Sequence, residues 1–188
     1  MPRGRALAIR ESRIKNDGME PLKAQDVVVA LRLAVNDGPR PPIAELARAL
    51  RLSASETHAA LRRLAGSHLY DPEGMRIVRP ALLEFLLHGL RYAFPASPGP
   101  LTVGLPTSAS APPLRERILQ APDETTVWSW GPGEVPGHAI EPLYRTVPEA
   151  AADDPALHEL LALADAIRVG RARERRLAGL EIEKRLQG

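Results

Sequence analysis

The polar side chains with the greatest chemical reach cluster in one short stretch, SASETHAALRR, which holds Ser53, Ser55, His58, Arg62 and Arg63. If this stretch is a helix with Leu61 and Leu64 turned inward, Ala54, Ser55, His58, Ala59 and Arg62 are left outside. A serine hydroxyl so placed bonds to a base edge or a phosphate, and an arginine pairs two-pronged with guanine or grips a phosphate. Arg63 adjoins Arg62 and is grouped with it. Ser53 and the first amides of the helix also suit a phosphate. Further along, Arg76 and Arg79 can meet a nucleic-acid backbone or a minor groove. The chemistry in prospect is hydrogen bonding and charge pairing, not bond breaking.

Other chemistries find little support in the residues. There is no cysteine, which excludes disulfides and thiolate metal sites. The five histidines, His58, His68, His88, His138 and His158, show no i, i+4 pairing, so no metal site is expected. No G-x-S-x-G, P-loop or dinucleotide-binding glycine pattern occurs, so neither catalysis nor a cofactor is expected. Asp153-Asp154 reads as a helix cap and not as a catalytic carboxylate pair. Trp128, Trp130 and Tyr144 can line a ligand pocket but suit a core better. Trp128 and Trp130, two apart in a strand, would share a face.

The elements that must position the polar cluster are legible around it. LKAQDVVVALRLAVNDG has the helical spacing Val27, Val28, Leu31, Val35, and Asn36-Asp37-Gly38 stops it before Pro39, Pro41 and Pro42. Ile43 to Leu50 forms a second short helix with Ile43, Leu46, Ala47 and Leu50 inward. Ser53 opens a third, and Ser53 with Glu56 makes a capping box. Asp71, Pro72 and Gly74 suit a tight turn between Tyr70 and Ile77-Val78, predicting a small hairpin. ALLEFLLHGLRYAF then predicts a helix apolar around most of its circumference, with Leu82, Leu83, Phe85, Leu86, Leu90 and Phe94.

Residues 95–152 differ in kind, holding eleven of the 19 prolines. Only LRERILQA has room for a helix of about two turns, and TTVWSW and HAIEPLY supply a pair of short strands. Asp153 or Asp154 can cap a last helix with Pro155 in its first turn. That helix carries Leu157, Leu160, Leu161, Ala164 and Ile167, bends at Gly170 and runs on through ARERRLAGLEIEKRL.

Charge follows the same division. Residues 21–94 carry ten cations against seven anions and residues 95–152 three against six, within a net +2. A cationic front and a mildly acidic middle suit a nucleic-acid-binding front with another task behind it. No apolar run approaches a membrane span, so a soluble, cytoplasmic protein is expected.

The segment ELARALRLSASETHAALRRL resembles the winged helix-turn-helix of MarR-type bacterial transcription regulators. The matching residues are Glu45-Leu46-Ala47, Leu50, Leu52-Ser53, Ser55 and Ala60-Leu61-Arg62-Arg63-Leu64, with the hairpin at 70–79 where the wing belongs. Thr57 stands where the family pattern has an apolar residue, and the hairpin tip, Asp71-Pro72-Glu73, is acidic. The likeness covers about residues 22–80. It implies double-stranded DNA as partner, a homodimer, and Ser53, Ser55, His58, Arg62, Arg63, Arg76 and Arg79 as the contacting set.

The expected fold is mainly α, of the α+β class. A basic arm (1–20) precedes a winged helix-turn-helix domain with a flanking helix (21–94), a Pro-rich region with short strands (95–152) and a C-terminal helix (153–188). Helix 81–94, and with it 155–169, is assigned to intrachain packing and dimerisation. The alternative reading is a protein-binding module, an antitoxin or accessory subunit whose C-terminal half holds a partner.

Overall fold

Helix α1 (Ala24–Ala34) begins where the Asp26 carboxylate accepts from the Lys23 backbone N–H at 2.8 Å, securing the first turn. Val27, Val28 and Leu31 are buried as their spacing predicts. Val29 and Ala30 are buried as well, so α1 is enclosed on most sides. The computed structural model describes residues 20–187, and the arm expected at 1–20 lies, but for Glu20, outside the described residues. The helix stops before Gly38, whose φ of +131° only glycine adopts easily.

Helix α2 (Ile43–Ala49) buries Leu46 and Ala47, and the turn after it passes through Arg51 at a φ of 55°. Helix α3 (Ala54–Gly66) opens with the expected capping box. The Ser53 hydroxyl accepts from the Glu56 N–H at 3.1 Å, and the Glu56 carboxylate accepts from the Ser53 N–H at 2.9 Å. Thr57 is buried, and its hydroxyl donates to the Ser53 carbonyl at 3.0 Å, which accommodates a polar residue in an apolar position. Strands β1 (Tyr70–Asp71) and β2 (Arg76–Ile77) form the antiparallel hairpin, Tyr70 opposite Ile77 and Asp71 opposite Arg76.

The apolar helix that follows has three parts: α4 (Arg79–Glu84), a wider π turn (Phe85–Gly89) and α5 (Leu90–Ala93). Leu82, Leu86 and Leu90 are fully buried, whereas Leu83, Phe85 and Phe94 are half-buried. Gly89 makes room for the Phe85 ring, since a Cβ there would lie 2.9 Å from it.

The Pro-rich region is more ordered than its composition predicts. Strands β3 (Leu101–Pro106), β4 (Thr126–Ser129) and β5 (Val135–Ala139) close into a small barrel. β3 runs antiparallel to both others, and β4 runs parallel to β5. β4 falls within TTVWSW, β5 starts earlier than HAIEPLY, and β3 is an addition. Closure depends on Gly104, where a Cβ would sit 1.8 Å from the Trp128 carbonyl oxygen. Trp128 is buried but Trp130 is half-exposed, which corrects the shared face: Trp130 lies beyond the end of β4. LRERILQA forms only a 3-10 turn, Leu114–Glu116, because Leu114 is buried while Leu119 is wholly exposed, leaving no continuous apolar face.

The expected final helix is two, α7 and α8, and a further short helix, α6, precedes it. Helix α6 (Val147–Asp153) ends at Asp154, which caps α7 (Pro155–Val169) by accepting from the Leu157 N–H at 3.1 Å. Gly170 is extended, and a Cβ there would lie 2.3 Å from the Ala166 carbonyl oxygen. The chain therefore turns back instead of bending, and α8 (Ala172–Gln187) packs antiparallel on α7, with Arg185 bridging to Glu159 at 2.7 Å.

Helix α7 runs through the middle of the molecule, burying Leu157, Leu160, Leu161, Leu163, Ala164 and Ile167 in a core shared with α1 and the barrel. This places 155–169 in intrachain packing. On α7, buried Asp165 accepts from Trp128 Nε1 at 2.6 Å, Thr107 Oγ1 at 2.9 Å and Arg168 at 2.6 Å. Arg168 in turn donates to the carbonyls of Phe94 at 2.8 Å and Glu141 at 3.1 Å. Burial raises the Asp165 carboxyl above its ordinary range, against the opposing pull of Arg168.

Candidate nucleic-acid interface

Helix α3 turns Thr57, Ala60, Leu61 and Leu64 to the core and leaves Ser55, His58 and Arg62 exposed, one turn apart on its outer side. The hairpin stands beside this face. Between them lies a depression of about 220 Å³ lined by Arg40, His58, Leu61, Arg62, Tyr70 and Pro72. Its floor is apolar and its rim cationic, a combination that accepts a flat ring or an anionic group.

Ser53 is exposed, but its hydroxyl is committed to the cap, donating to Glu56 at 2.7 Å as well as accepting from the Glu56 amide. The Ser53 hydroxyl, the Ser53 amide and the Tyr144 hydroxyl together hold the Glu56 carboxyl below its usual range.

Two members of the expected set are corrected. Arg63 is 4% exposed. Its guanidinium grips Asp26 through Nε to Oδ2 and Nη2 to Oδ1, both at 2.7 Å, and reaches Glu20 at 3.3 Å. One residue on a helix is a rotation of about 100°, enough to send Arg62 outward and Arg63 inward. Arg79 is a staple: it donates to the carbonyls of Ala34 and Arg185 at 3.1 Å and Asn36 at 3.3 Å, and pairs with Asp37 at 2.5 Å. It closes the open end of α1 and ties α8 to it, so its guanidinium is held inward by these partners. Arg76 is exposed, with only a loose approach of 3.9 Å to Asp71, and remains available on the hairpin.

Arg40 is the residue that sequence reasoning missed. It donates to the Tyr70 hydroxyl at 3.1 Å and to the Pro41 carbonyl at 3.0 Å, and its amide donates to the Met75 carbonyl at 2.7 Å. These contacts fasten the hairpin and bring a cation to the rim beside Arg62. The one signal for it was the tyrosine at the start of the hairpin, a side chain that seeks a polar partner when buried.

The second half of the chain meets the turn between α2 and α3. The Tyr144 hydroxyl donates to Glu56 at 3.1 Å, Thr146 Oγ1 donates to the Leu50 carbonyl at 2.8 Å, and Arg51 pairs with Glu149 and Asp153. Tyr144 is thus a buttress of α3, and Trp128 is core. Comparison with protein-family models, curated proteins and solved structures gives no match. Among the described residues, no group of three or more His, Asp or Glu side chains is placed to hold a metal ion, and no helix is long and apolar enough to cross a membrane.

Proposed function

We propose that the protein is a sequence-specific, DNA-binding transcriptional regulator of winged-helix type, with α3 as the reading helix and the β1–β2 hairpin as the wing. One observation carries this reading. Charged residues of α3 that face its neighbours are neutralised within the fold, while Ser55, His58 and Arg62 are left together on the outside. A helix that spends its other charges internally and presents three hydrogen-bonding side chains beside a hairpin has the form a major groove accepts. In this reading Arg62 pairs with a base, Ser55 and His58 read or position, and Arg40 and Arg76 hold the backbone. The chain has no catalytic role in it.

A homodimer follows from the same reading, because two such helices reach successive major grooves when held about 34–36 Å apart. The face formed by α5 and α8, where Tyr92 is 74% and Leu180 50% exposed, is the surface we assign to it.

Selection of bound duplexes from a random pool, titrated at low and at physiological salt, tests the proposal. A two-fold-symmetric enriched motif supports a dimeric regulator. If no sequence is enriched and binding vanishes by physiological salt, the reading fails.

A second reading, contact with a partner protein through the C-terminal half, is favoured by the outer face of the barrel. There Leu101 is 73% and Val103 48% exposed, with Val135 beside them.

A further inference from the structure

Residues Tyr144 to Thr146 are pinned at both ends to the head of α3. Tyr144 bonds to Glu56 in the first turn of α3, and Thr146 bonds to Leu50 just before it. Arg145, between these anchors, is exposed, and its guanidinium lies 5.6 Å from the centre of the Tyr144 ring. Among the described residues Arg145 has no ion-pair partner within bridging distance, whereas the nearby Arg51 is occupied by Glu149 and Asp153. The charge of Arg145 also bears on Glu56, helping to hold that carboxylate ionised.

This arrangement answers a difficulty at the head of α3. A phosphate approaching that end meets favourable backbone amides but also the Glu56 carboxylate, which repels it. A cation held on this neighbouring segment offsets part of that repulsion and supplies a hydrogen-bonding fork that matches a phosphate. We infer that Arg145, from the second half of the chain, is a phosphate contact of the DNA-reading face and extends it beyond the helix-turn-helix. The inference rests on the DNA-binding reading above.

The test is a set of salt titrations on the full chain with a pooled random-sequence duplex and with the duplex enriched from it. Arg145→Ala is expected to weaken binding several-fold on both duplexes alike and to lower the salt slope by about one, the signature of one lost phosphate contact. Arg145→Lys keeps the charge and is expected to restore the slope. Arg62→Ala serves as the reference for base reading, with its loss concentrated on the enriched duplex. If the wild-type chain binds neither duplex, the DNA reading itself falls and this inference with it. If the wild-type chain binds and Arg62→Ala loses specificity while Arg145→Ala keeps its affinity and slope, only the role of Arg145 is overturned. Tighter binding by Arg145→Ala also overturns it. A slope that Arg145→Lys fails to restore, with thermal melting unchanged, does the same.

Discussion

Arg63 and Asp26 join α3 to α1 by a two-pronged ion pair, both bonds at 2.7 Å, with the two side chains 3% and 0% exposed. The pair fixes the rotation of α3 about its own axis, and hence which residues face outward. Leaving either charge alone in the interior is costly, so Arg63→Ala is expected to lose about 3–5 kcal/mol in urea unfolding. The double replacement Arg63→Met with Asp26→Leu is expected to recover part of that, since a packed apolar pair has no charge to strand, less the loss of the Asp26 cap on the Lys23 N–H. A single variant as stable as the wild type would show that the pair does not hold the two helices.

Arg62 gives the opposite pattern. It is exposed, so Arg62→Ala is expected to leave unfolding nearly unchanged while costing roughly 1–3 kcal/mol of affinity for the selected duplex. Titration of that duplex against one altered at a single base pair checks it. Unchanged affinity removes Arg62 from the reading set.

The cap of α3 depends on acidity. Hydrogen bonds from Ser53, then Tyr144, hold the Glu56 carboxyl below its ordinary 4.5. A depressed carboxylate stabilises the fold above its unfolded value, and that contribution is lost as pH falls through the folded value. Ser53→Ala is expected to cost about 0.5–2 kcal/mol at neutral pH. The penalty should shrink in acid, where the carboxylate is protonated in both chains. A penalty that does not change with pH in thermal melts would detach Glu56 from the cap.

His158 works in another range. It packs against Trp128 with ring centres 5.5 Å apart and the rings tilted by 46°, and sits 2.7 Å from the Pro106 carbonyl, where only an Nε2 that carries a hydrogen can donate. Burial lowers its pKa from the ordinary 6.5, so the unfolded chain takes up the proton first. Stability from this site is therefore full above 6.5, falls as pH drops below it, and levels off under the folded value. Urea midpoints at about pH 7.5 and about pH 5 should differ less in His158→Gln than in the wild type. An equal drop in both assigns the acid sensitivity elsewhere.

The legible parts of the chain were those whose signals are local. Ser53, Glu56 and the Val27, Val28, Leu31 spacing declare caps and buried faces within a few residues, so α1, α2, α3 and the hairpin could be read directly. The barrel could not. β3 pairs with β4 across the intervening loop, and its closure depends on Gly104 passing against the Trp128 backbone, a contact without periodicity. The candidate site divides in the same way. Ser55, His58 and Arg62 follow from helix geometry, whereas Arg40 reaches it through Tyr70, and Arg145 is carried there by the bonds from Tyr144 to Glu56 and from Thr146 to Leu50. Arg63 was misassigned although a clue existed: Asp26, on an otherwise apolar helix, had to find a cation if buried.

The enclosed position of α7 bears on how the molecule is made. α1 and α4 through α5 are translated well before α7, the helix that completes the core they share. The front of a nascent chain therefore emerges with Leu31, Leu86 and Leu90 still lacking their cover, and gains it only once Leu157 to Ile167 have been added. The outer face of α3 therefore gains its full support only after α7 has been added, and until then these leucines are exposed apolar surface open to association with other chains.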